Sequence, residues 1–119
     1  MTLRHETDVL VRFSEVDSLL IVWHGHYVRY FEDAREAFGL KHGIHYLDVH
    51  RAGYSTPIVK VVCDYKRSLK YGDTAVVEAT YVDTDAAKLI FKFVIKNKAT
   101  QELKQHFINT LLILKIYFV

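Results

Sequence analysis

A chain of 119 residues, 50% apolar and 25% charged, has the make-up of one globular domain and leaves little room for a second. A formal net charge of +2, with histidine neutral, is too weak to point to nucleic acid. The lone cysteine, Cys63, excludes an intrachain disulfide and is compatible with a reducing compartment.

The opening stretch, MTLRHETDVLV, lacks the long apolar run of a secretion signal, so the cytoplasm is the expected location. Thr7, Val9, Val11 and Phe13 alternate with Asp8 and Arg12, which predicts a first strand. Residues Ser14 to Val22 show no clear period and read as a loop. From about Gly25 the period becomes helical. Tyr27, Tyr30, Phe31, Ala34 and Phe38 share one face, and Arg29, Glu32, Asp33 and Glu36 lie mostly elsewhere. Gly39 reads as the helix stop. The segment KHGIHYLDVHRAG reads as an irregular or one-turn helical connection.

Strands then dominate. Val59, Val61, Cys63 and Tyr65 alternate with Lys60, Asp64 and Lys66, and KYGD is a turn. Thr74 to Val82 is rich in β-branched residues. In KLIFKFVIK, Leu89, Phe91, Phe93 and Ile95 point one way and Lys88, Lys92 and Lys96 the other. NKATQE predicts a hairpin turn, and a last strand follows from about Leu103. The final stretch, FINTLLILKIYFV, is shorter than the ~20 residues of a spanning helix and is interrupted by Lys115. Both its faces are apolar, which places it centrally in a sheet or under a partner. With no linker, repeat or low-complexity run, one domain is expected over residues 1–119. The class is α+β: one long helix buried against a curved antiparallel sheet of about five strands. The sheet's edges and outer face need cover, which self-association would supply.

Asp17 stands in the loop before the helix, and Trp23, His24 and Gly25 stand at its start. A helix N-terminus presents free backbone N–H groups and partial positive charge. A glycine there lets a ligand approach the backbone. Together they would polarise a carbonyl and stabilise its oxyanion. Asp17 would then serve as nucleophile or as general base on water, and His24 would orient substrate or move a proton. The plainer alternative stays open: Asp17 as a turn former, His24 as a packed histidine, Gly25 as a helix-start glycine and the aromatic face as core.

The stretch VRFSEVDSLLIVWHGHYVRYFEDAREAF resembles the hotdog-fold thioesterases of the 4-hydroxybenzoyl-CoA thioesterase family, in particular the small bacterial acyl-CoA thioesterases associated with the Tol–Pal system. Phe13, Asp17, His24, Tyr27 and EDAR (Glu32 to Arg35) fall at the family's places. A second segment, GYSTPIVKVVCDYKRSLKYGD, matches the family's Y-x-x-x-L-x-Y-G-D through Tyr65, Leu69, Tyr71, Gly72 and Asp73. The resemblance covers roughly Val9 to Asn97 and implies a hotdog fold, sheets paired into dimers or tetramers, and hydrolysis of an acyl thioester, usually of coenzyme A. It implies Asp17 as the catalytic carboxylate, with His24 beside it, and backbone N–H groups near His24 or Gly25 polarising the carbonyl. Phe13, Trp23, Gly25 and Tyr27 are the implied substrate contacts, joined across a subunit interface by the segment from Thr56 to Val59. Coenzyme A enters as part of the substrate, no separate cofactor is implied, and an acyl carrier protein is the alternative carrier. Two departures stand out. Relatives commonly carry Tyr where this chain has Phe13, and a Gly within the segment that here reads Ser18, Leu19, Leu20.

The seven histidines show no standard metal spacing, so no metal site is expected. The row Lys88, Lys92, Lys96 reads as a solvated strand face or as a counterion for coenzyme A phosphates. Two further readings stand beside the enzyme: a non-catalytic hotdog domain that binds acyl-CoA or acyl carrier protein, and a purely structural domain.

Overall fold

The computed structural model describes residues 3–66, 68–99, 108–115 and 117–118, with His24, Ile108, Asn109, Thr110, Leu112, Tyr117 and Phe118 described by their backbone alone. Strand β1 (Arg4–Leu10) leads through a 3-10 turn (Phe13–Glu15) and a second one (His24–His26) into helix α1 (Tyr27–His42). A short helix α2 (Tyr46–Arg51), strand β2 (Tyr54–Ser55) and strand β3 (Ile58–Tyr65) follow. Strands β4 (Thr74–Val82), β5 (Lys88–Asn97), β6 (Ile108–Lys115) and β7 (Tyr117–Phe118) complete the order. Strands β1-β4-β5-β6-β3 form one antiparallel sheet, and β2 pairs with β7 beside it.

The expected helix face is the core. Tyr27, Tyr30, Phe31, Ala34 and Phe38 are all buried, packed on Ala75, Val77 and Ala79 of β4 and on Phe91, Phe93 and Ile95 of β5. Small side chains on β4 let the aromatic face settle close to the sheet. Its rings meet those of β5, Phe31 on Phe93 at 5.2 Å and Phe38 on Phe91 at 5.3 Å. Deleting a ring such as Phe38 from such a core costs about 3–5 kcal/mol.

Two expectations are corrected, and the helical reading of the connection after α1 holds. The first strand stops at Leu10 instead of running to Phe13. Glu15 accepts a hydrogen bond from the Arg12 N–H (2.9 Å), and Val11 turns inward with its N–H on the Asp73 carbonyl (2.9 Å). Phe13 is left 72% exposed in the turn, edge-on to Tyr71 at 5.8 Å. The helix does not stop at Gly39, which is buried within it; it ends at Gly43, in the left-handed region (φ 74°), whose N–H returns to the Gly39 carbonyl. The connection after it contains a six-residue helix, α2, whose start is capped by His45 Nδ1 accepting from the Leu47 N–H.

The last strand lies in the sheet interior, between β5 and β3, as its two apolar faces implied. The turn after β5 is seen at Lys98 and Ala99; the rest of the expected hairpin and the strand from Leu103 to Phe107 lie outside the described residues.

Candidate active site

Two segments distant in sequence build the surroundings of Asp17. Residues 15–17 and 21–23 form a small antiparallel ladder: the Asp17 N–H donates to the Ile21 carbonyl (2.9 Å), Val16 bridges Val22, and the Trp23 N–H donates to the Glu15 carbonyl (3.1 Å). The turn before β4 adds a third strand. The Val22 N–H donates to the Leu69 carbonyl (2.8 Å) and the Tyr71 N–H to the Leu20 carbonyl (2.9 Å), with Ile21 bridging Lys70. Tyr27 closes the arrangement from α1 by accepting the Leu69 N–H on its hydroxyl (3.1 Å). The turn is shaped by Asp73, whose carboxylate accepts the Lys70 N–H (2.9 Å).

Asp17 sits at the tip of this ladder, exposed in the single chain. Its carboxylate accepts the Leu19 N–H (2.8 Å) and its carbonyl the Leu20 N–H (3.0 Å), which closes a tight turn. Two ladder steps, roughly 7 Å, separate its level from that of Trp23, where the helix start begins. That start carries no acidic residue in its first turn and no side-chain cap at His26, so its N–H dipoles are not satisfied by a local carboxylate. The His24 backbone lies in the 3-10 turn of this start, and its side chain lies outside the described atoms.

Trp23 is half exposed and edge-on to His26 at 5.4 Å. Its ring lies over Gly25, where a Cβ would stand 2.1 Å from Trp23 Cζ3. Gly25 therefore makes room for the indole, which any side chain at this position would displace. Tyr27 is a core residue, 2% exposed, and supports the site from beneath. Phe13, Leu19, Leu20, Trp23 and Tyr71, on the segments that build this ladder, are exposed, an apolar surface of the kind that marks an interaction site.

Thr56 and Val59 lie elsewhere on the chain. Thr56 lines a cavity of about 740 Å³ between the C-terminal half of α1, α2 and the concave face of the sheet, walled by Phe38, Ile44, Val49, Tyr54, Leu89 and Leu114. Among the described residues, none of the Asp17 turn or the helix start lines it. Val59 stands at a register shift in the pairing of β3 with β6, the kind of irregularity that re-aims a side chain, and is exposed. Within one chain the candidate residues thus form two groups: Phe13, Asp17, Trp23 and Gly25 at the helix start, and Thr56 and Val59 by the cavity and the β3 edge.

The cavity and Glu15 escaped the reading of the sequence. A cavity has no signature in a single strand or helix. Glu15 did carry a signal: an acidic residue two positions before Asp17, in a segment that passes under an aromatic helix face. Among the described residues no group of three or more His, Cys, Asp or Glu side chains converges as a metal site would require, and no helix is long and apolar enough to cross a membrane.

Residues 11–114 match the family model of the thioesterase-like superfamily. The chain belongs to that superfamily, its architecture is the hotdog fold, and its class is that of the thioester hydrolases. Among individual relatives, the Bacillus subtilis (strain 168) protein named "Putative acyl-CoA thioesterase YneP" is 34% identical over 92 residues, 77% of this chain and 67% of that protein. The chloroplastic acyl-acyl carrier protein thioesterase ATL3 of Arabidopsis thaliana is 31% identical over 98 residues, 82% of this chain and 52% of ATL3. The chain therefore spans about two thirds of the first relative and about half of the second. The crystal structure of DHNA-CoA thioesterase from Staphylococcus aureus superposes with a TM-score of 0.83 at 23% identity, over 97% of this chain and 74% of that one. At that identity the match speaks for the fold alone.

Proposed function

We propose that the chain hydrolyses the thioester of a small or medium acyl-CoA, with Asp17 as the catalytic carboxylate and the helix start from His24 as the carbonyl-polarising group. The observation that carries the reading is the docking of the two family-like segments on each other: the 69–71 turn hydrogen-bonds to residues 20–22, and Asp17 is held at the tip of the resulting ladder. An exposed carboxylate at an uncapped helix start, on a ladder with exposed apolar side chains, suits a thioester whose carbonyl meets the N–H groups and whose acyl and pantetheine arms meet those side chains.

In one route the Asp17 carboxylate attacks the carbonyl carbon, the C–S bond breaks, the thiol leaves, and water cleaves the resulting anhydride. In the other, Asp17 takes a proton from a water that attacks directly. Both yield the free acid and CoA. Heavy oxygen from solvent appearing in Asp17 after a single turnover selects the first route.

The active unit in this reading is a dimer or a dimer of dimers. The cavity lined by Thr56 falls within the volume range of ligand pockets and accepts an acyl chain. Pairing of two β3 edges brings one chain's Thr56–Val59 segment toward the other chain's Asp17. On Asp17, His24 and EDAR we place the chain nearest the Tol–Pal-associated bacterial acyl-CoA thioesterases, acting in the cytoplasm.

The test is hydrolysis of an acyl-CoA panel by the wild type and by Asp17→Asn. The variant is expected to lose roughly 100-fold or more in kcat. A wild type that hydrolyses none of the panel, or a variant as active as the wild type, removes the assignment. The relative ATL3, named for an acyl carrier protein substrate, favours a second reading in which the carrier is a protein. An acyl–acyl carrier protein turned over faster than the matching acyl-CoA selects it, and tight binding of either without turnover selects a non-catalytic acyl-binding domain.

A further inference from the structure

Glu15 is a buried carboxylate, 7% exposed, two residues before Asp17. A buried carboxylate is costly unless it is hydrogen-bonded. Glu15 Oε1 accepts two bonds, from the Arg12 N–H (2.9 Å) and from the Tyr30 hydroxyl (3.1 Å). Its backbone makes two more: its N–H donates to the Arg12 carbonyl (3.0 Å), and its carbonyl accepts the Trp23 N–H (3.1 Å). Glu15 is thus the point at which the exit of β1, the Asp17 ladder, the helix start and α1 itself are tied together.

Among the described residues the Asp17 carboxylate has no such tie to another element. The partner it holds is the Leu19 N–H within its own turn. The level of Asp17 against the helix start is therefore set by the ladder, which is anchored to α1 on its own strand through the Glu15–Tyr30 bond and on the 69–71 strand through the Leu69–Tyr27 bond. Tyr30 is fully buried, in the first turns of the helix that begins at the site.

We propose that Glu15 and Tyr30 are a positioning pair, holding the Asp17 turn in catalytic register with the start of α1. The inference rests on the reading of Asp17 given above and extends it to residues that touch no substrate. Burial, and then the negative charge of Glu15, raise the Tyr30 hydroxyl well above its ordinary range, so it stays a neutral donor throughout the working pH range. Small displacements of reacting groups cost up to about 100-fold in rate, so a lost anchor is legible in turnover.

The experiment measures kcat and KM on the acyl-CoA panel, beside thermal melts, for four variants. Tyr30→Phe removes the donor alone and is expected to melt cooperatively while kcat falls about tenfold or more and KM stays within about threefold. Glu15→Gln keeps an acceptor oxygen for both bonds and is expected within about threefold of wild type, whereas Glu15→Ala falls at least as far as Tyr30→Phe. The double variant Tyr30→Phe/Glu15→Ala is expected to be no worse than Glu15→Ala, because the two act as one unit. Full turnover per folded molecule in Tyr30→Phe, or Glu15→Gln falling as far as Glu15→Ala, overturns the proposal. If Glu15→Ala does not fold, Tyr30→Phe and Glu15→Gln decide. Asp17→Asn, assayed in parallel, separates the two ideas. If it is inactive beside an unimpaired Tyr30→Phe, the positioning pair alone falls. If it is fully active, or if the wild type is inert, the catalytic reading falls and the pair falls with it.

Discussion

Leu20 takes φ +61°, and among the described residues no other non-glycine adopts the left-handed region. It closes the Asp17 turn, with its N–H on the Asp17 carbonyl (3.0 Å) and its own carbonyl accepting from Tyr71 (2.9 Å). The turn demands this conformation, which glycine adopts without strain. Here a half-exposed leucine bears the cost, about 1–2 kcal/mol, and adds an apolar side chain to the exposed surface. Leu20→Gly relieves that strain but adds about 0.5–1 kcal/mol of unfolded-chain entropy, for a net gain of roughly 0.5–1 kcal/mol. Leu20→Val, β-branched in the same conformation, is expected to lose at least about 1 kcal/mol. Chemical denaturation of the three proteins checks the order Gly above Leu above Val, and a reversed order would show that the turn relaxes out of the left-handed region. At this scale the sequence was legible for residue type and mute on conformation. The spacing from Asp17 to His24 could be read directly, whereas the positive φ, the ring over Gly25 and the burial of Glu15 arise from contacts between segments that no local pattern records.

Among the elements, legibility followed periodicity. Strand β4 spans Thr74–Val82, the stretch marked out by its β-branched residues, and β5 buries Phe91, Phe93 and Ile95 while Lys92 faces out, as their alternation required. The aromatic face of α1 was equally clear, because a period of 3.6 residues leaves little freedom about which side is buried. Ends were harder. Gly39 and Gly43 look alike in sequence, yet Gly39 lies inside α1, where a Cβ would stand 3.0 Å from the Ile44 carbonyl oxygen, and Gly43 ends the helix with nothing near its Cβ position. The first is glycine because the chain folds back on it, and the second because of its φ. Lys41 and His42 in the last turn favour the stop at Gly43 through the helix dipole, and His42 Nε2 pins that end by donating to the Arg4 carbonyl (3.0 Å). Gly43→Ala is expected to cost about 1 kcal/mol in a melting experiment, and Gly43→Asn less, because asparagine tolerates the left-handed cap. Equal losses for the two would place the cost in something other than φ.

The whole molecule is asymmetric at its two sheet edges. Strand β1 guards one edge with charge, exposing Arg4, Glu6 and Asp8. Strand β3 forms the other, and it exposes Ile58, Val59, Val61, Val62 and Tyr65 across both of its faces. An apolar eight-residue edge strand is a template for another strand; among the described residues none pairs with the outer edge of β3, and within the strand Cys63 alone is partly buried. A second copy suits it by charge as well as by apolarity. If two β3 strands pair antiparallel about a two-fold axis at Val62, Lys60 of each stands directly opposite Asp64 of the other, on the same face. Each such cross-strand pair contributes roughly 0.2–1 kcal/mol, and the symmetry supplies two of them. Lys60→Asp turns both into like-charge pairs and is expected to weaken self-association about tenfold in sedimentation or light-scattering measurements, with turnover falling in step as the shared site comes apart. The double variant Lys60→Asp/Asp64→Lys restores both pairs with their signs exchanged and is expected to recover association to within about threefold of wild type. Recovery is the discriminating result, because a general loss of solubility or folding would not be reversed by a second charge change. A wild type that stays monomeric at all concentrations, or a double variant as weak as the single one, excludes this register, since residues 60 and 64 face each other only when the axis passes through Val62.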